Sequence, residues 1–290
     1  MKEPGPPKAP RAFSWFPGHM RKALRRLEES LTLADIVLMV LDSRIPASSR
    51  QPELEEMLRR KGKDSLLVLN KSDLAEKSET ERWLACMRRE GHQVAAMQAV
   101  TGRGAGPLEK PLEKLRQAVH ARRKKRGLLP RDPRLVVVGI PNVGKSSLLN
   151  RLAGATRART GARPGVTRGN QWVAVPGKWQ ILDSPGILYP RIEGEEILTS
   201  LAAVSCVSLD AIPLERVGAL LLQRLIRGNH PPQSLYVEDP EAEPEALLRA
   251  LARRKNFLVN AQEDLPRTAR WLLQSFAKGD LGAVTLETAP

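Results

Sequence analysis

The apolar run Leu135-Val136-Val137-Val138 passes directly into Gly139-Ile140-Pro141-Asn142-Val143-Gly144-Lys145-Ser146, and a helical stretch over 147–152 follows. A G-x-x-x-x-G-K-S loop set between a strand and a helix is the strongest constraint in the chain. Its glycines let the backbone curl so that N–H groups point inward, and the helix N-terminus adds the positive end of its dipole. The loop from Pro141 through Asn142, Val143, Gly144 and Lys145 to Ser146 and Ser147 therefore reads as a phosphate cradle. Lys145 is expected to reach the outer phosphates of a nucleotide, and the Ser146 hydroxyl to hold Mg²⁺.

Other apolar runs share this character. Ile36 to Leu41, ending at Asp42, suits a strand buried on both faces; Leu66 to Leu69, ending at Asn70, is another, and Val94 to Met97 is weaker. Helical stretches fall near 52–60, 79–90 and 108–125, and Leu24, Leu27 and Leu31 recur at helical spacing. Strands alternating with helices predict an α/β fold, a mostly parallel sheet with helices on both faces. Past Tyr189-Pro190 the strand-like runs fade. Val217, Leu220, Leu221 and Leu225 share one helical face, and Leu247, Leu248 and Leu251, then Leu272 and Phe276, repeat the pattern. We read 1–12 as a flexible tail, 13–191 as the nucleotide-binding domain and 192–290 as an all-α C-terminal domain.

In open α/β sheets ligands sit at the carboxyl ends of strands, so the residues just after each run carry the chemistry. Asn70-Lys71-Ser72-Asp73 follows one such strand. Guanine presents two adjacent donors that a single carboxylate, Asp73, can accept, whereas adenine would leave that carboxylate unpaired. Asn70 can bond the base edge and tie to the phosphate loop, and the Lys71 stem can lie over the ring. Asp183-Ser184-Pro185-Gly186 follows the run Trp179 to Leu182. Asp183 is expected to support Mg²⁺ and the Gly186 N–H to sense the γ-phosphate. Thr167, in Pro164-Gly165-Val166-Thr167, is a candidate switch hydroxyl on Mg²⁺. The N-K-x-D box precedes the phosphate loop, the reverse of the conventional order. A sheet depends on which strands are neighbours in space, so a permuted chain can build the same site.

Lys and Arg number 47 against 32 acids, a formal charge of +15, which favours a polyanionic partner. The basic residues cluster at Arg122 to Arg126, around the switch segment (Arg157, Arg159, Arg163, Arg168) and at Arg253 to Lys255. With few aromatics and no RNP-type motif, recognition of structured RNA by backbone and shape is expected rather than base stacking or DNA sequence readout. The 2 cysteines, Cys86 and Cys206, exclude a disulfide scaffold and a four-cysteine zinc site. No run approaches a membrane span, and the Pro-rich first residues fit neither a secretory signal nor a mitochondrial presequence, so a cytoplasmic protein is expected.

The order of motifs, with Trp15-Phe16-Pro17-Gly18-His19-Met20, Asp42-Ser43-Arg44-Ile45-Pro46, Asn70 to Asp73, Gly139 to Ser146, Pro164 to Thr167 and Asp183 to Gly186, resembles the circularly permuted GTPases of the YlqF/RbgA type. The resemblance to this ribosome biogenesis GTPase A family spans nearly the whole chain. It implies a P-loop GTPase domain that turns GTP into GDP, coupled to late maturation of the large ribosomal subunit and contact with its rRNA, with no oligomer required. It also implies His19 as the candidate for water activation, since Ile187 stands where many GTPases carry a Gln. The likeness of the phosphate loop to potassium-stimulated GTPases implies K⁺ held by the Asn142 carbonyl. Where a base-side S-A-K loop is usual, Gln98-Ala99-Val100 stands instead, leaving the Ala99 amide as the expected contact. Two other readings stay open: a nucleotide-gated RNA-binding module with negligible hydrolysis, and a P-loop ATPase or kinase.

Overall fold

The computed structural model describes residues 27–101, 105–154, 172–183, 192, 194–228, 231–235 and 237–290. Helix α1, described over 27–33, leads into β1 (Ile36–Asp42), α2 (Pro52–Arg60), β2 (Asp64–Asn70), α3 (Lys77–Arg89), β3 (Val94–Met97) and α4 (Ala105–Lys125). Then come β4 (Arg134–Val138), α5 (Lys145–Ala153) and the hairpin β5 (Trp172–Val175) and β6 (Trp179–Asp183). The helices α6 (Glu195–Ala203), α7 (Leu214–Arg227), α8 (Pro244–Arg254) and α9 (Leu265–Lys278) complete the chain.

One 6-stranded sheet runs β3-β2-β1-β4-β6-β5, parallel except where β5 pairs antiparallel with β6. The fold is thus the α/β sandwich that the apolar runs predict. Every residue of β1 is buried, and its side chains alternate between two cores. Ile36, Leu38 and Val40 meet Leu108, Leu112 and Leu115 of α4 and Leu148 of α5. Val37, Met39 and Leu41 meet Leu31 of α1, Leu54 and Leu58 of α2 and Trp83 of α3. Burying each such side chain contributes about 1.5–3 kcal/mol, which is why the central strands carry continuous apolar sequence. The first of these cores runs on without a break into Leu221, Leu251, Leu272 and Phe276 of the C-terminal helices.

The structure adds two features to the sequence reading. Strand β5, Trp172 to Val175, is apolar but lies at the sheet edge, with only Val175 buried and Ala174 exposed. A two-stranded ribbon, β7 (Leu258–Val259) and β8 (Gln262–Glu263), interrupts the helical region. It turns through Asn260 and Ala261 at positive φ, and two-residue strands leave no periodic trace. The Pro-rich tail and the Trp15 to Met20 motif lie outside the described residues.

Helices α7 and α9 approach most closely at Gly218, where an added Cβ would lie 2.5 Å from the Ala269 Cβ and 2.9 Å from its Cα. Backbone cannot move aside as a flexible side chain can. Gly218→Ala should destabilise the protein by about 1–3 kcal/mol, read as a lower denaturant midpoint at unchanged slope.

Candidate functional site

The sheet register gathers the motif residues. Asp42 lies opposite Asn70, Asn70 opposite Met97, Met39 opposite Val138 and Val137 opposite Asp183. Strands β1, β2, β3, β4 and β6 therefore end along one edge, as a nucleotide site in a parallel sheet requires. Asn70 is buried at that edge and bridges the two loops that follow β3 and β4. Its Nδ2 donates to the Val143 carbonyl at 2.7 Å, and its Oδ1 accepts from the Ala99 amide at 2.9 Å. Ser43 grips the Asn70 carbonyl with its amide at 2.9 Å and its hydroxyl at 2.7 Å.

Gly144 makes this bridge possible. It holds φ +96, and a Cβ there would fall 2.2 Å from Asn70 Nδ2. Lys145, the first residue of α5, is buried, and its Nζ donates to the Ile140 carbonyl at 2.9 Å across the loop. Ser146 and Ser147 follow in the first turn of α5. Asn142 sits at φ +60, with its Nδ2 donating to the Ser205 carbonyl beyond α6. Cys206 Sγ donates to the Pro141 carbonyl at 2.9 Å. Burial, then the negative charge of Asp42, pushes the Cys206 thiol up to about 12, so it stays a neutral donor.

Between the loops lies a cavity of about 290 Å³, lined among others by Asn70, Lys71, Asp73, Ala99, Asn142, Gly144 and Ser147. Lys71 leaves β2 at φ +58, and its ammonium pairs with Asp42 Oδ2 at 3.0 Å. Asp42 is 0% exposed and Arg44 1% exposed. The Arg44 guanidinium holds both carboxylate oxygens of Asp42, Nε on Oδ1 and Nη2 on Oδ2, each at 2.9 Å. Burial opposes the Asp42 charge, but the hydrogen bonds and charges of Arg44 and Lys71 outweigh it and hold the carboxyl below its ordinary value.

One site expectation needs revision. The Ala99 amide donates to Asn70 instead of standing free for a base. Both ends of the Asn70 side-chain amide are engaged by backbone, so Asn70 ties the loops together as expected, and its Nδ2 still carries a second N–H. Thr101 and Gln98, which the sequence reading left without a side-chain role, line the cavity and bond each other at 2.8 Å. Of the other site residues, Asp183 ends β6 beside β4, while His19, Thr167 and Gly186 lie outside the described residues.

The sequence profile of the 50S ribosome-binding GTPase family matches residues 134–227. The chain is 41% identical to the ribosome biogenesis GTPase A of Bacillus pumilus over 279 residues, covering 95% of this chain and 98% of that one. The chain belongs to the ribosome biogenesis GTPase A family. The mitochondrial ribosome-associated GTPase 1 of Mus musculus is 32% identical over 94% of this chain and 89% of its own. Among solved structures, GNP-bound YlqF from T. maritima superposes with a TM-score of 0.68 at 25% identity, covering 92% of this chain and 98% of that one. The nucleotide chemistry of this GTPase is accordingly that of GTP and GDP.

Among the described residues of this family member, no helix is long and apolar enough to cross a membrane. Its basic clusters are partly committed within the fold. Arg122 pairs with Asp64, Arg123 donates to the Leu129 carbonyl, and Arg253 pairs with Glu263 at 2.8 Å.

Asn70→Ala should orphan the Val143 carbonyl and the Ala99 amide, at about 1–3 kcal/mol for each buried group. Calorimetry should show GDP affinity falling with stability. Asp42 sets an acid limit. Because its folded value is depressed, its stabilisation is fully present above the ordinary carboxylate value and is lost as pH falls through the folded value. Acid titration of the unfolding midpoint should show this loss, and Asp42→Asn should abolish it.

Proposed function

We propose that this GTPase acts in late maturation of the large ribosomal subunit, binding the subunit in its GTP form and leaving after hydrolysis. The observation that carries this reading is similarity along 95% of the chain to proteins named ribosome biogenesis GTPase A. The partner is the subunit and its rRNA, and the setting is the cytoplasm.

In this reading the cavity takes guanine. Asp73 accepts the two ring donors, the Lys71 stem covers one ring face, and Ala99 closes the pocket from beneath through Asn70. The loop Pro141 to Ser147 cradles the phosphates, and Lys145 exchanges its Ile140 carbonyl contact for phosphate oxygens. Ser146, Thr167 and Asp183 form a hard-oxygen donor set of the kind Mg²⁺ takes, one that leaves places for phosphate oxygens and water. Among the described residues no group of three or more His, Cys, Asp and Glu side chains competes as a metal site. Bound there, Mg²⁺ would neutralise charge on the outer phosphates. With its amide nitrogen donated to Ser205, what Asn142 can offer K⁺ is oxygen. Gly186 senses the γ-phosphate. His19 orients the attacking water, because the Ile187 side chain cannot hydrogen-bond.

The charge of +15 makes the subunit encounter electrostatic. Each phosphate neutralised releases counterions, so affinity falls steeply with salt. Co-sedimentation with large subunits should show retention with GTP or a non-hydrolysable analogue, release with GDP, and loss of both on raising salt from about 50 to 200 mM. Equal retention in all nucleotide states would instead support a subunit-binding module without a switch.

A further inference from the structure

The wall of the cavity is not made by the nucleotide-binding half alone. Ala277, in the last turn of α9, lines it beside Leu74. Arg44 holds that turn in place, its Nη1 donating to the Phe276 and Ala277 carbonyls at 2.8 and 3.1 Å. The same guanidinium fixes Asp42, the partner of Lys71. One buried arginine thus joins the end of α9 to the base-side lysine.

Beyond α9 the chain returns along the loops that follow β1 and β2, the second of which lines the cavity at Asp73 and Leu74. The Val284 amide donates to the Leu74 carbonyl at 3.0 Å, the Leu286 amide to the Arg44 carbonyl at 2.8 Å, and the Glu76 amide to Thr285 Oγ1 at 3.0 Å. The Glu287 carboxylate accepts from the Ala47 amide at 2.7 Å, the Ser48 amide at 3.1 Å and the Ser48 hydroxyl. The Glu287 carbonyl accepts from Trp83 Nε1 at 2.9 Å. Apart from the Trp83 bond, which reaches α3, these contacts converge on residues 44–48 and 74–76, the continuations of Asp42 and of Lys71 to Asp73.

We propose that residues 284–287 are a positioning strap for guanine recognition, with Glu287 as its anchor and Arg44 as its link to α9. The inference rests on the reading of the cavity as the guanine site. A carboxylate that must accept two ring donors has to be held to within about 0.5 Å. Asp73 is exposed, two residues after Lys71 at positive φ, and its turn is held by the Leu74 amide on the Lys71 carbonyl at 2.9 Å and the Ser72 amide on the Met97 carbonyl at 3.3 Å. The strap braces the chain just beyond, at the Leu74 carbonyl and the Glu76 amide. By linkage, bound nucleotide must then tighten the strap by the same factor that the strap tightens nucleotide.

The test uses the full chain and compares GDP with IDP, which lacks the exocyclic amine that Asp73 would accept. Glu287→Ala should speed GDP dissociation about five- to tenfold and shrink the preference for GDP over IDP. Glu287→Gln should recover part of both, since its amide oxygen still accepts. Thr285→Val, nearly isosteric, should shift both in the same direction should Glu287→Ala fold poorly. In the wild type, GDP should slow hydrogen exchange at the Val284 and Leu286 amides. Unchanged dissociation and preference in the strap variants, with Val284 and Leu286 exchange indifferent to GDP, would overturn the strap while leaving the guanine site standing. A wild type with no preference for GDP over IDP, unaltered by Asp73→Asn, would overturn the guanine site itself.

Discussion

The nucleotide site depends on a single side-chain amide. Asn70 occupies the carboxyl end of β2 and bonds at once to the phosphate loop at Val143 and the base-side loop at Ala99. Those segments lie 73 and 29 residues away in sequence, and only the sheet brings them within reach. Each bond adds about 1 kcal/mol net, but the larger effect is the cost of leaving its buried partner unmade. The bridge also dictates its neighbours: Gly144 carries no Cβ because Asn70 Nδ2 stands where one would be. Since the bridge needs only β3, β2, β1 and β4 side by side, the order of their loops along the chain is free to be permuted.

Charge is arranged with equal economy. Asp42 and Arg44 are both buried, and Lys71 adds a second cation against one carboxylate. Removing one partner of such a pair typically costs about 3–5 kcal/mol, because it strands a charge in low dielectric. Of these cations Lys71 also lines the cavity, and Lys145 stands in the phosphate loop on the Ile140 carbonyl. The same carboxylate helps keep the Cys206 thiol neutral, so its field reaches the turn that grips Pro141.

Much of this was legible in the sequence, and the reason is physical. Strands buried on both faces must be apolar throughout, so β1, β2 and β4 announce themselves, and ligand-binding residues follow at their ends. N-K-x-D and G-x-x-x-x-G-K-S then place Asn70, Asp73 and Lys145 on one edge without any knowledge of the third dimension. Features that depend on tertiary contact left no such trace. The edge strand β5 is only four residues long, Trp172 to Val175, too short to separate from a loop. Arg44 stands out in the sequence only as part of the Asp42 to Pro46 motif, and its bonds to Asp42 and to the end of α9 emerge only in the fold. Residues 284–289 show no periodicity at all, since their function is to offer single bonds to distant loops. Ala99 was misassigned for a related reason: a sequence identifies an amide near the base but not the side chain that claims it.

Permutation has a mechanical consequence. In this chain β6, which ends at Asp183, precedes the helical region, whose α6 begins at Glu195. The turn that closes α6 returns to the phosphate loop through Ser205 and Cys206, and α9 closes the opposite side of the cavity through Ala277. The helical region therefore touches the site at both the phosphate end and the base end, and shares one continuous apolar core with the sheet. Packed cores of this kind shift between discrete arrangements rather than deform smoothly. The helical region is thus seated against the sheet at two places rather than hung from a single linker.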